Sequence, residues 1–243
     1  SNFLLTNPVA MRHAIETKGE SLRKGYEIFL EDMKAGDIRM TSPEDFKVGE
    51  NLATTPGSVV MRNRLVEVVH YAPTQAKVHA EPIVIITPWI NKFYVLDLTP
   101  KKSMVRFLLD QGFDVFITSW KNPDASMRGV RFDDYLTEGI HGIIETARAM
   151  SGADKVHAVG YCIGGTGLSM YMAWANKHFP PEQVPVADVT LFTTLVDLHA
   201  PGDINVFIDE STVNYLDRKM ARTGYLDGKE MAAAFRLLRS NSL

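Results

Sequence analysis

Four short apolar runs separated by stretches of helical periodicity constrain this chain more than any other feature of it. They fall at residues 83–86, 113–119, 156–159 and 189–195. The first, Ile83-Val84-Ile85-Ile86, is continuously apolar, as expected of a strand buried on both faces. Between the runs, residues 100–110 carry Met104, Val105, Leu108 and Leu109 at helical spacing before Gly112, and residues 133–150 carry Tyr135, Ile140, Ile143, Ile144 and Ala147. A further helix follows Cys162. Strands joined through helices of this length are joined by crossovers, which predicts a parallel α/β sheet with flanking helices over residues 81–200.

The first third reads differently. Asn7 and Pro8 suit an N-cap and a first helical position, and Leu22, Tyr26, Phe29, Leu30 and Met33 continue at helical spacing to Gly36, predicting one long amphipathic helix. Residues 37–58, with Ser42-Pro43, Thr55-Pro56 and Gly57, read as loop, and residues 59–71 as one long strand or two short ones. Residues 1–80 are thus expected to form an N-terminal region laid as a layer against the core. Beyond Pro201 the pattern turns helical again, over 213–222 and 229–239, with no further strand. Residues 201–243 are read as the start of a cap inserted after the fourth strand.

Composition removes several classes of function. A formal charge of −3 over 243 residues and the lack of a dense basic block set nucleic acid aside as a partner. No apolar stretch approaches the roughly 20 residues needed to span a bilayer, so no integral membrane protein is expected. A single cysteine excludes an intrachain disulfide, and the first ten residues lack the pattern of a secretory signal. A reducing, cytoplasmic setting is the corresponding expectation.

That one cysteine lies in Gly160-Tyr161-Cys162-Ile163-Gly164-Gly165, where a predicted strand ends and a predicted helix begins. A nucleophile elbow needs Gly160, Gly164 and Gly165 there, because the turn is so tight that a Cβ would strike the neighbouring strand or helix. At a helix N-terminus the dipole favours a thiolate, which makes Cys162 the candidate nucleophile. The alternatives are a buried cysteine in a glycine-rich turn and a phosphate-binding loop. The latter lacks the Gly-Lys-Ser/Thr of a Walker loop, and a dinucleotide loop belongs after the first strand of its unit. Two backbone N–H groups are needed for an oxyanion hole. Ile163 offers one; the other is expected from Thr87-Pro88-Trp89-Ile90-Asn91, where proline has none to give and Trp89 or Ile90 is the candidate. The alternative is a rigid connection with Trp89 packed in the core.

A base and an acid should follow the nucleophile. The histidines after Cys162 are His178, read as a surface residue at a helix end, and His199, read as a loop residue. His13, His70, His79, His141 and His157 show no ligand spacing, and one cysteine makes no zinc signature, so no metal is expected.

Several longer segments carry a resemblance. They are Asn51-Leu52-Ala53-Thr54-Thr55-Pro56-Gly57, Pro88-Trp89-Ile90-Asn91-Lys92-Phe93-Tyr94, Ser119-Trp120-Lys121-Asn122-Pro123-Asp124-Ala125-Ser126, the elbow itself, and Gly224-Tyr225-Leu226-Asp227-Gly228. Over essentially its whole length the chain resembles polyhydroxyalkanoate synthases, in particular the single-subunit class I enzymes of short-chain monomers. The medium-chain class typically has glutamine at the Trp89 position. The resemblance implies an α/β-hydrolase fold and (R)-3-hydroxyacyl-CoA as substrate, with polyester made through a covalent thioester on Cys162. It also implies a homodimer at the surface of storage granules. In that family the triad Asp and His lie well downstream of the elbow, so Cys162 alone can be carried over. The resemblance therefore implies an N-terminal part of a synthase, catalytically poor in isolation. Two other functions compete: a cysteine-dependent hydrolase of esters on the same fold, and a non-catalytic granule-associated fragment.

Overall fold

In a computed structural model, which describes residues 6–36, 45–90, 92–202, 205, 208–228 and 230, the chain divides into two compact units, one with the N-terminal helices and the other Phe46–Met231. In the first, Asn7 caps α1 (Pro8–Glu16), its side chain accepting from the N–H groups of Val9 and Ala10. The single long helix expected here is broken. Lys18 and Gly19 take φ of 51° and 86°, and α2 (Glu20–Ala35) begins after them. The Gly19 N–H bonds the Ala14 carbonyl at 2.8 Å, closing α1 in a left-handed cap. Apolar spacing runs on across the break, which is why the spacing alone does not register it. Gly36 ends α2 at φ 65°, as the sequence predicts.

In the second unit, Asn63 splits the stretch at 59–71 into β1 (Gly57–Arg62) and β2 (Val66–Tyr71). Its side-chain oxygen accepts from the Leu65 and Val66 N–H groups at 2.8 and 2.9 Å, fixing the turn between them. β3 (Ile83–Ile86) is buried throughout. A small hairpin, β4 (Asp97–Thr99) with β5 (Lys102–Ser103), takes up the start of the helix read from 100. α3 (Met104–Asp110) begins only where the Ser103 hydroxyl caps the Arg106 N–H at 2.9 Å. After β6 (Val115–Trp120) the regular helix expected at 133–150 instead runs through α4 (Phe132–Asp134), a π-helical turn at Tyr135–Ile140 and α5 (His141–Ser151). Then come β7 (Val156–Tyr161), α6 (Ile163–His178) and β8 (Val186–Phe192). β8 ends three residues before the predicted 195, at Thr193 with φ 45°. α7 (Glu210–Thr223) is capped by Asp209, whose carboxylate accepts from Thr212 N–H at 3.0 Å. The helix read at 229–239 lies, apart from residue 230, outside the described residues.

The six-stranded sheet has the order β1-β2-β6-β3-β7-β8. The four runs read as parallel strands are the parallel neighbours β6, β3, β7 and β8. The β1–β2 pair is not a layer over this sheet; β2 pairs antiparallel with β6, so the pair is the antiparallel edge of the sheet itself. Alternation along β3 explains the two apolar layers. Val84 and Ile86 pack with Ile140, Ile143 and Ile144, and with Leu168 and Tyr171 of α6, whereas Ile83 and Ile85 pack with Val105 and Leu109 of α3. The carboxyl ends of the four parallel strands therefore share one end of the sheet, where α/β folds place their sites.

Candidate active site

Cys162 occupies the turn from β7 into α6 with φ 54° and ψ −127°, a left-handed backbone that costs a non-glycine residue on the order of 1–3 kcal/mol. Neighbouring hydrogen bonds impose it. The Cys162 N–H donates to the Phe192 carbonyl at 2.9 Å, and the Cys162 carbonyl accepts from Gly165 and Thr166 at 2.9 and 3.2 Å. The side chain is exposed, so the alternative of a buried cysteine does not hold.

The three glycines are set by close approach. A Cβ on Gly164 would lie against the carbonyl oxygens of Ile86 and Thr87, the latter at 2.7 Å. On Gly160 it would meet the backbone of Gly165, whose nitrogen lies at 3.1 Å, and on Gly165 it would meet the Thr194 side chain. β7, β3 and the loop after β8 thus converge on the first turn of α6.

Ile163 is the first residue of α6, so its N–H has no intrahelical acceptor. In the loop after β3, the Thr87 N–H is already donated to Thr118 Oγ1 at 2.9 Å and Pro88 has none. That leaves Trp89 and Ile90 as the expected donors in the described part of the loop; Asn91 lies outside the described residues. The Trp89 side chain is half-buried in an aromatic group, its ring centroid 6.0 Å from those of Trp120 and Phe132 and 5.4 Å from that of Tyr135. Burial there raises the Tyr135 phenol above its ordinary value. Sequence reading missed these partners, whose one visible sign was the Trp120 of the Ser119-Trp120 segment.

The histidines hold other places. His178 bonds the Trp174 carbonyl at 2.8 Å and stacks on the Trp174 ring. His199 is almost fully exposed, at 96%, with Nδ1 2.5 Å from Asp197 Oδ1. Its hydrogen bonds hold the Asp197 carboxyl below the usual carboxylate range. This pair follows β8 on a loop tied to α6 by the Thr166 hydroxyl, which donates to the Leu195 carbonyl at 2.7 Å. No hydrogen bond among the described residues joins it to Cys162. His157 lies between Glu81 and Asp188, at 3.2 and 2.6 Å, five residues down β7 and so about 16 Å from Cys162. His70 pairs with Asp114 at 2.6 Å ahead of β6. His141 bonds the Tyr171 hydroxyl at 2.9 Å. Among the described residues no three His, Cys, Asp or Glu side chains gather as metal ligands, and no helix is long and apolar enough to cross a membrane.

Comparison with known proteins adds two family matches: residues 1–108 to the poly-beta-hydroxybutyrate polymerase (PhaC) N-terminus, and residues 82–224 to the alpha/beta hydrolase fold. The chain is 43% identical over 248 residues to the poly(3-hydroxyalkanoate) polymerase subunit PhaC of Cupriavidus necator. It is 40% identical over 251 residues to the poly(3-hydroxyalkanoate) polymerase of Methylorubrum extorquens, and 39% over 247 residues to the PhaC subunit of Rhizobium meliloti. Each match takes in 100% of this chain but 42%, 40% and 40% of the respective relative, so the chain spans about two fifths of their length.

Proposed function

Because the chain belongs to the alpha/beta hydrolase fold family and, within it, to the poly(3-hydroxyalkanoate) polymerases, we propose that it carries the nucleophile of a polymerase of its relatives' length, which joins (R)-3-hydroxyacyl groups from CoA thioesters into polyester. The observation that carries this reading is the exposed Cys162 thiol on a strained turn at the N-terminus of α6. The Cys162 thiolate attacks the thioester carbonyl, the CoA thiolate leaves, and the acyl group stays activated as a thioester of similar energy. A hydroxyl of the growing chain or of the next monomer then attacks that carbonyl, gives its proton to a base, and restores Cys162. The negative oxygen formed at each attack is received by the N–H of Ile163 and by that of Trp89 or Ile90. The base and its orienting acid belong to the three fifths of the relatives' length that this chain does not span, as the downstream His and Asp of the resemblance. No cofactor enters this chemistry, since the substrate brings its own activation.

Class I specificity for short acyl chains agrees with the aromatic Trp89, whose ring packs with Trp120 and Tyr135 and faces Gly167 of α6. A homodimer working at a granule surface in the cytoplasm completes the proposal. Exposure of Cys162 also suits a second reading, a cysteine hydrolase that passes the acyl group to water.

Cys162→Ala in a polymerase of the relatives' length tests the assignment. CoA release should fall at least about a thousandfold with the circular dichroism spectrum unchanged, and Cys162→Ser should retain weak activity at most. Near-normal polymerisation by the alanine variant overturns the reading. CoA release that yields free hydroxy acid in place of polymer selects the hydrolase.

A further inference from the structure

We propose that Trp120 is a positioning residue that aims the loop after β3 at the oxyanion; the inference rests on the proposed function, in which that loop supplies the second N–H. The Trp120 indole Nε1–H donates to the Thr87 carbonyl at 2.7 Å. Thr87 is held on its other sides by Thr118, whose Oγ1 accepts the Thr87 N–H at 2.9 Å and whose carbonyl accepts the Thr87 hydroxyl at 2.8 Å. The same Thr87 carbonyl faces Gly164, close enough to exclude a Cβ there. One oxygen is therefore fixed between the indole and the first turn of α6.

The anchor matters because of the two residues that come next in the chain. The Thr87–Pro88 peptide is planar and the proline ring fixes its own φ, so a single soft torsion, ψ of Pro88, separates the anchored carbonyl from the plane that carries the Trp89 N–H. That torsion is restrained by the Trp89 ring, which meets the Trp120 ring edge-on at 86° with Tyr135 at 5.4 Å from both. Trp120 thus grips the loop on both sides of Pro88. Its own place is made by the π-helical turn, where Gly139 leaves room: a Cβ there would come to 2.6 Å from the indole carbons. Single π turns recur at functional sites, and this one seats the ring that seats the loop.

The test uses a polymerase of the relatives' length, with acyl-CoA as substrate. Trp120→Phe keeps an aromatic ring and removes the N–H; Gly139→Ala keeps the N–H and displaces the ring. Each should lower kcat tenfold or more with KM changed less than threefold, while the rate at which iodoacetamide alkylates Cys162 stays within twofold of wild type. A kcat within twofold of wild type in both variants, or a loss confined to KM, overturns the proposal. If Trp120→Phe does not fold, Gly139→Ala alone decides it by the same split. An inactive Cys162→Ala beside a fully active Trp120→Phe refutes the positioning role alone, whereas an active Cys162→Ala refutes the reading beneath it.

Discussion

At Gly164 a side chain would strike the backbone of Ile86 and Thr87 and not the flexible end of a neighbour. Gly164→Val should therefore cost about 3 kcal/mol or more through steric conflict. For a unit of this size that is a drop in melting temperature of roughly 6–12 °C by calorimetry. Gly129→Ala, which meets open space, should melt like wild type. Equal melting of the two variants would mean that the turn is not tight. His141 gives a pH dependence. Burial pushes it below its ordinary value, with Arg148 adding to this and Glu145 opposing. Its folded value is therefore lower than its unfolded value of about 6.5, the unfolded chain takes up the proton first, and stability falls as pH drops below about 6.5. His141→Gln should flatten the melting temperature between pH 7 and 5; a slope equal to that of wild type would assign the effect to other groups.

Among the elements, β8 is the one whose exposure carries a consequence. Among the described residues it is the last strand of the sheet, with an open hydrogen-bonding edge and an exposed face that includes Val189 and Leu191. An apolar open edge is a template for strand pairing, so the 243-residue chain should self-associate, and Val189→Lys with Leu191→Lys should shift it toward monomer in sedimentation velocity. A monomeric wild-type chain would show that the edge is protected. At the N-terminus the break between α1 and α2 depends on Gly19 at φ 86°, and Gly19→Ala should destabilise the helical pair by about 1 kcal/mol, read from thermal unfolding followed by circular dichroism. The elements differ in how far the sequence disclosed them. β3, β6 and β7 were legible because burial on two faces leaves an apolar run. The α1–α2 break and the β4–β5 hairpin were not, since a left-handed glycine and a serine cap are single-residue events that a period passes over.

For the whole molecule, the elbow, its oxyanion candidates and the four parallel strands stand together in a chain two fifths as long as its relatives. On the proposed reading the chain by itself should alkylate at Cys162 yet release CoA only at background, because loss of triad members costs orders of magnitude in rate. Adding a separately expressed segment matching the rest of a relative should restore release if the two dock. Substantial turnover by the chain alone would refute this and direct attention to His199 with Asp197. The sequence by itself determined the parallel α/β core and the place of Cys162 in the strand-to-helix turn, since side-chain alternation, helical period and the glycines of a tight turn are local consequences of backbone geometry. Only the tertiary structure decided that β1 and β2 join the sheet, that β6 lies between β2 and β3, and that Trp120 reaches Thr87 across 33 residues of chain. A hydrogen bond or a close approach between distant residues depends on which strands become neighbours, and no period along the chain records that order.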